Sequence, residues 1–518
     1  HAYILTLKYL WFINDSQVNI KKTIGGFMPN SPLDNVLGVI LGAEHSRPDQ
    51  KAVSFRIDFD NYVNQGIKKK ALILDSIKGE SAIGLDSQYK STGRLSESNE
   101  GLVLTINEPQ QYQLQSQIRE AFGRSNTINT RGIADHQDFS ELIHGGQMNH
   151  FITTIFVDIK GSTSLSLKYP DDLEFIYKFK NAVIKSCIEV IHAFDGCVHR
   201  IMGDAVLGFF GSSEIDRPQS ILDCLNAAAM LTVVLEHTIK PWLQEQKSDF
   251  NVLDFGFRVG CNFGNDDEVL WGNYGFGQIG EISPTGLPVD LAAKLQSLAS
   301  KNQIMMGQGL LEFFNFPNDF CKIKTVIRNG ETIEKEFIYP NYKKADGTDL
   351  NYIMRSLKTH KYILGLPLPL DLKQMISVNV NADEKVIPNN NFKLKAEVTN
   401  PNGNIENYYS NSRVIRKDSK IKAILSSENI RLLQRYKVIF YKKNHSGFND
   451  EEILKTYLQE EIDDNDIDVG QAQSISTFFK VGEFQRDCNF KGLHYIKCEV
   501  KDTSGSVIFR DYIYVPIE

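Results

Sequence analysis

The chain has 518 residues, 42% of them apolar and 23% charged, with a formal net charge of −7. That length exceeds one core and implies about three domains, while the acidic balance argues against nucleic-acid binding and no apolar run reaches the ~18 residues of a membrane span. The seven cysteines hold no C-x-x-C pair and are odd in number, which fits buried thiols in a reducing, cytoplasmic setting better than disulfides or zinc.

Residues 1–145 mix short apolar runs (VLGVILG, AVSFRIDF, KALILDSI, GLVLTI) with Gly-, Ser- and Asn-rich breaks and read as an α/β or β-rich domain of unknown role. The opening HAYILTLKYLWFIN reads as a buried strand or helix, and Lys68, Lys69 and Lys70 as a solvated turn. The polar stretch GRSNTINTRGIADHQD marks the boundary.

Residues 150–345 form a second domain. FITTIFVDI is a buried strand, and Pro170-Asp171-Asp172 caps a helix whose Ile176, Phe179, Val183, Cys187 and Ile191 recur at helical spacing. FDGCVHRIMGDAVLGFFG is a hairpin turning at Gly203-Asp204, residues 219–245 form a long helix, and FGFRVGCNFG is a strand. A Gly-rich arm (Gly272, Gly275, Gly277, Gly280) and the helix PVDLAAKLQSLAS follow. The order is the ferredoxin-like βαββαβ pattern of an α+β fold. Residues 346–375, around GLPLPLDL, read as a stiff linker because the prolines oppose helix. Residues 376–518, with ISVNVNA, FKLKAEV, RYKVIFYKK, LHYIKCEVKD and SVIFRDYIYVP, predict an Ig-like β-sandwich, and the acidic EEIDDNDID a solvated loop.

The chemistry lies in the second block. Asp158 ends the first strand and Asp204 lies in the hairpin turn, so this topology brings two carboxylates to one end of the sheet. Carboxylates that close repel unless a divalent cation lies between them. Gly161, Ser162 and Thr163 follow at a helix start and suit a phosphate. His192 and His199 read as structural.

FVDIKGST, GDAVLGFFG, FRVGCNFG and PVDLAAKLQ, in this order, resemble the catalytic domain of class III nucleotidyl cyclases over roughly residues 150–340. The resemblance implies a head-to-tail homodimer with the active sites at its interface. It implies two Mn²⁺ or Mg²⁺ ions held through Asp158, Ile159 and Asp204. Where the family has a base-reading lysine this chain has Arg200, and Ser283 stands at the second base-reading position. Asp290 replaces the helical asparagine, and Lys294 the transition-state arginine.

A guanidinium narrows the base pocket and offers a donor fork, which suits a pyrimidine. Arg200 can donate to a uracil carbonyl while Ser283 accepts from N3–H, or can meet cytosine at N3 and O2; the reading prefers UTP to CTP. With the flanking stretches SPTGLPVDLAAKLQ and GLHYIKCEVKDTSGSVIFRDYIYVPIE, the chain resembles the bacterial Pycsar antiphage cyclases. That resemblance implies synthesis of cyclic UMP or CMP and a separate effector activated by the product. An adenylate or guanylate cyclase of the same fold and an idle nucleotide-binding regulatory module are the alternatives.

Overall fold

The computed structural model describes residues 112–276, 279–314, 316–427, 436–444, 452–458 and 479–518. All belong to the larger of two compact units, Ala52–Glu518. The expectations for the opening segment, for the lysines at 68–70, for the runs before residue 112, for Gly277 and for the acidic loop lie outside the described residues.

In chain order come α1 (Gln113–Ala121), β1 (Gln147–Asn149), β2 (Ile152–Lys160), α2 (Ser162–Lys168), α3 (Leu173–Ala193), β3 (Cys197–Met202), β4 (Ala205–Phe210) and α4 (Arg217–Val234). A π-helical turn joins α4 to α5 (Lys240–Gln246). Then follow β5 (Gly256–Gly264), β6 (Leu270–Phe276), β7 (Ile279–Thr285), α6 (Leu287–Leu298), β8 (Gln303–Gly307), α7 (Gln308–Phe313) and β9 (Cys321–Lys322). A small hairpin, β10 (Lys324–Arg328) and β11 (Glu331–Lys335), precedes β12 (Met354–Leu357), α8 (Thr359–Leu364) and α9 (Leu370–Ile376).

The central sheet has seven strands in the order β3-β4-β2-β5-β8-β12-β9. Its first four reproduce the ferredoxin-like arrangement, each crossover helix returning the chain beside an antiparallel neighbour. On β2, Ile155, Val157 and Ile159 alternate onto one face and join the main core, as period-2 geometry requires. The Asp172 carboxylate accepts from the Phe175 N–H at 3.1 Å, capping α3, whose five periodic apolar residues are all buried. Helix α4 is buried on nearly every side from Ser220 onward. Together with its continuation to Gln246 it is long and apolar enough to match a membrane span by composition, although the sequence has no uninterrupted apolar run of that length. Yet 94% of its most apolar window lies inside the protein.

Three expectations change. Residues 112–145 are not part of a separate N-terminal body: Leu114, Ile118, Ala121 and Phe122 enter the main core, and the polar stretch that read as a boundary runs across the sheet domain. There Asn129 Nδ2 bonds Gly196 O at 3.2 Å, and the Ala134 N–H bonds Val198 O at 2.9 Å. Residues 346–375 are not a spacer either. β12 completes the central sheet, α8 and α9 flank the proline segment, and Tyr362, Ile363, Leu364 and Leu366 are fully buried. Gly365 has no side chain because the Tyr514 ring lies where one would be, 2.0 Å from an added Cβ. ISVNVNA forms the end of α9 and a turn rather than a strand, since its Ser377 and Val380 N–H groups bond locally to Lys373 and Ser377.

Beyond it, Phe392–Thr399, Ile405–Tyr408, Lys420–Ser427 and Phe479–Asp487 form one four-stranded antiparallel sheet. Lys437–Lys443, Glu452–Leu458, Gly492–Lys501 and Val507–Ile517 form the other. The two enclose a core of their own around Val398, Leu425, Phe440, Cys498 and Phe509. This is the β-sandwich the alternating strands imply. It also shares the interior of the sheet domain: Leu493, Tyr495, Tyr512 and Tyr514 belong to the main core.

Candidate active site

Register positions the two aspartates. β2 and β4 pair with Val157 opposite Val206, so the next pair sets Asp158 opposite Ala205, beside the turn that carries Asp204. Val157 and Ile159 point into the core, so Asp158 points to the other face. Gly203 takes φ +67° in the two-residue turn, a conformation open to glycine at no steric cost.

Each carboxylate is held by protein donors. Asp158 accepts from Gln296 Nε2 at 3.0 Å and from the guanidinium of Arg258, which stands directly opposite on β5. The remaining Nε of Arg258 is buried without a partner. Helix α6 comes close enough to deliver Gln296 because β5 has glycine at position 260. A Cβ there would lie 2.3 Å from the Ala292 carbonyl. Asp204 accepts from the Ser162 hydroxyl, tying the hairpin turn to the loop after β2. Gly161 adopts φ +99°, and a Cβ on it would press 2.6 Å from the Asp254 carbonyl oxygen, so only glycine closes this loop. Ser162 is thus buried and committed to Asp204, whereas Thr163 is exposed. The side chain of Ile159 is in the core, leaving only its main chain at the site. Among the described residues no group of three or more His, Cys, Asp or Glu is placed to hold a metal ion.

The two base-reading candidates meet in a second cluster. The Arg200 guanidinium donates to Glu281, and His199 Nε2 lies 2.6 Å from the same carboxylate and 3.1 Å from Ser283 Oγ. Neighbouring residues on a strand normally face opposite ways. Here the register shifts between Val198 and Arg200, and this bulge lets His199 and Arg200 both reach β7. Glu281 and Ser283, two residues apart, share one face of β7. Burial pushes the His199 imidazole down to about 4, so it is neutral near pH 7. Sequence reasoning did not single out Glu281, Arg258 or Gln296, which contact the candidate residues here, and read His199 as structural. The i, i+2 spacing of Glu281 from Ser283 was the one available signal.

Asp290 and Lys294 lie one turn apart on α6, yet they form no ion pair, and neither side chain has a hydrogen-bond or ionic partner among the described residues. Partial desolvation raises the Asp290 carboxyl above, and lowers the Lys294 ammonium below, their ordinary values. The Gly-rich arm is the β6–β7 hairpin, with Tyr274, Phe276 and Ile279 exposed near its tip.

No family model matches the chain. A cytidylate cyclase of Escherichia coli is 32% identical to it over 465 residues, 89% of this chain and 98% of that protein. A cytidylate cyclase of Staphylococcus aureus is 38% identical over 222 residues, 43% of this chain and 51% of that protein. Among solved structures, the adenylyl cyclase CyaB from P. aeruginosa aligns with 41% of this chain and 95% of its own at 16% identity and a TM-score of 0.33. With so long a match to the first of these relatives, this chain belongs to the class III nucleotidyl cyclases, on their Pycsar-like branch.

Proposed function

We propose that the protein is a cytidylate cyclase that converts CTP to 3′,5′-cyclic CMP and pyrophosphate. The observation that carries this reading is the Arg200–Glu281–His199–Ser283 cluster, which adds a carboxylate to the guanidinium fork. Cytosine presents an N4–H₂ donor beside acceptors at N3 and O2. Glu281 accepts from N4 while Arg200 donates toward N3 and O2. Uracil has a donor at N3 and an acceptor at position 4, which reverses two of the three contacts. The cytidylate cyclase relatives support the same choice, so the earlier preference for UTP gives way to CTP.

In the reaction the ribose 3′-oxygen bonds to the α-phosphorus and the bond to the β-phosphate's bridging oxygen breaks. Pyrophosphate leaves with the electron pair, and the hydroxyl proton passes to solvent. Asp158, Asp204 and the main-chain oxygen of Ile159 are hard oxygen donors that suit Mg²⁺ or Mn²⁺, and donors now bonded to the two carboxylates are exchangeable. Such ions, when bound, acidify the 3′-hydroxyl and neutralise the triphosphate. The main chain of Gly161, Ser162 and Thr163 and the guanidinium of Arg258 meet phosphate oxygens. We assign Lys294 to the charge growing at the α-phosphate and Asp290 to a ribose hydroxyl. Their lack of partners among the described residues supports contribution across a head-to-tail homodimer, the base cluster of one copy serving the carboxylates of the other. The product would signal to a separate effector in antiphage defence.

Incubating the protein with Mn²⁺ and each of the four nucleoside triphosphates tests the reading by chromatography. Cyclic CMP from CTP is the expected product. A preference for UTP or a purine, or no cyclic product at all, overturns it.

A further inference from the structure

His199 reaches the base cluster only because of the bulge in β3. The residue is 3% exposed, and its ring centre lies 4.9 Å from that of the buried Phe209, so the imidazole has little room to move. Nε2 is the atom turned to the cluster, 2.6 Å from Glu281 Oε1 and 3.1 Å from Ser283 Oγ. The Arg200 guanidinium holds the other carboxylate oxygen of Glu281.

These contacts decide where two protons lie. An imidazole nitrogen is either an N–H donor or a bare lone pair. A lone pair 2.6 Å from a carboxylate oxygen would set two acceptors against each other, so Nε2 carries its proton whether the ring is neutral or charged. The bond to Ser283 therefore runs from His199 to the serine, and Ser283 Oγ accepts it. A serine hydroxyl has one proton of its own, and Ser283 gives it to no other group among the described residues. Its side chain is only partly buried, which leaves that proton available to a bound base. The sense of this hydroxyl separates the two pyrimidines. An accepting Ser283 suits the N3–H of uracil; a donating one suits cytosine, whose N3 and O2 are both acceptors.

We propose that His199 is a positioning residue for base selection, which holds Ser283 as a hydrogen-bond donor so that serine and Arg200 together face the N3–O2 edge of cytosine. The inference rests on the cytidylate cyclase reading and deepens it. Uracil then meets Ser283 donor to donor, and both groups lose their bond. His199 acts through its neighbour and does not touch the base.

The test is the ratio of kcat/KM for CTP to that for UTP, measured with Mn²⁺ on the full chain. His199→Phe keeps a ring against Phe209 and removes the N–H, freeing Ser283 to accept. The ratio should fall about tenfold, chiefly through improved use of UTP, whereas a merely structural lesion would depress both substrates together. His199→Gln, whose side-chain amide can offer an N–H in the same direction, should restore most of the preference. Ser283→Ala should lose it, and adding His199→Phe to Ser283→Ala should cost nothing further. An unchanged ratio in His199→Phe, an equal decline with both nucleotides, no recovery in His199→Gln, or a further loss in the double variant overturns the proposal. Should His199→Phe fail to fold, Ser283→Ala decides, and an unchanged ratio there refutes the relay. A wild-type protein that prefers UTP or a purine overturns the cytidylate cyclase reading itself and this inference with it; a CTP-preferring wild type with any of the contrary variant results strikes the relay alone.

Discussion

The open end of the central sheet and the junction with the sandwich use polar side chains in opposite ways. At the open end Asp158 and Asp204 rest on donors that can be exchanged, and Asp290 and Lys294 have no partner among the described residues. At the junction Asn226, Asn411 and Tyr362 form a buried hydrogen-bonded set, in which only Asn411 Oδ1 is left without a partner. Asn226 Oδ1 accepts from Tyr362 Oη at 2.9 Å and Asn411 Nδ2 at 3.0 Å, and its Nδ2 donates to the Asn411 carbonyl at 2.8 Å. All three residues are fully buried. The groups proposed to meet a substrate have replaceable bonds; at the junction Asn226 and Tyr362 are bonded and sealed, where low dielectric makes any loss expensive.

Substitution can break this contrast most sharply at the carboxylates. Asp158→Asn or Asp204→Asn should lower cyclase turnover by about 10²–10³-fold or more while the thermal midpoint moves little. A large drop in stability with residual activity would make these residues architectural instead. Asn226→Ala should do the reverse, leaving Tyr362 and Asn411 unpaired at a cost of about 3 kcal/mol, read by urea unfolding, with the active-site groups untouched. Glu281→Gln tests the base cluster: its CTP preference over UTP should fall by about tenfold, and an unchanged ratio would remove Glu281 from base recognition.

The smallest expected effect is on pH. Burial lowers His136, His192 and His199 each to about 4, so the unfolded chain takes up their protons near pH 6.5 before the folded one does. Stability should therefore rise with pH between about 4 and 6.5. Asp223 opposes this, since burial raises it to about 7 and its contribution falls as pH rises from about 4 to 7. The histidines outnumber it, so the melting temperature should drop on acidification, and His136→Gln should flatten the slope.

The sequence made the βαββαβ core legible because each of its elements announces itself locally, through the Asp172 cap, the apolar spacing of α3 and the Gly203-Asp204 turn. The ends of that domain were hidden. Helix α1 looks polar in isolation, with Leu114 and Ile118 its main anchors, and β12 is four residues long beside prolines that suggest a spacer. Within the site the pattern is the same. Asp158 and Asp204 could be paired from topology, but Arg258 and Gln296 come to Asp158 from 100 and 138 residues away. Strand periodicity gives a residue's face and not its partner across the sheet. The bulge that turns His199 and Arg200 toward one carboxylate leaves no mark in composition at all.

The tyrosine layer of the C-terminal sheet has a consequence for biosynthesis. Tyr512 and Tyr514 share a hydrophobic interior with residues as early as Leu114, so the main core is complete only once the ribosome has translated the strand Val507–Ile517. A product terminated before that strand would carry both aspartates and still lack part of the main core.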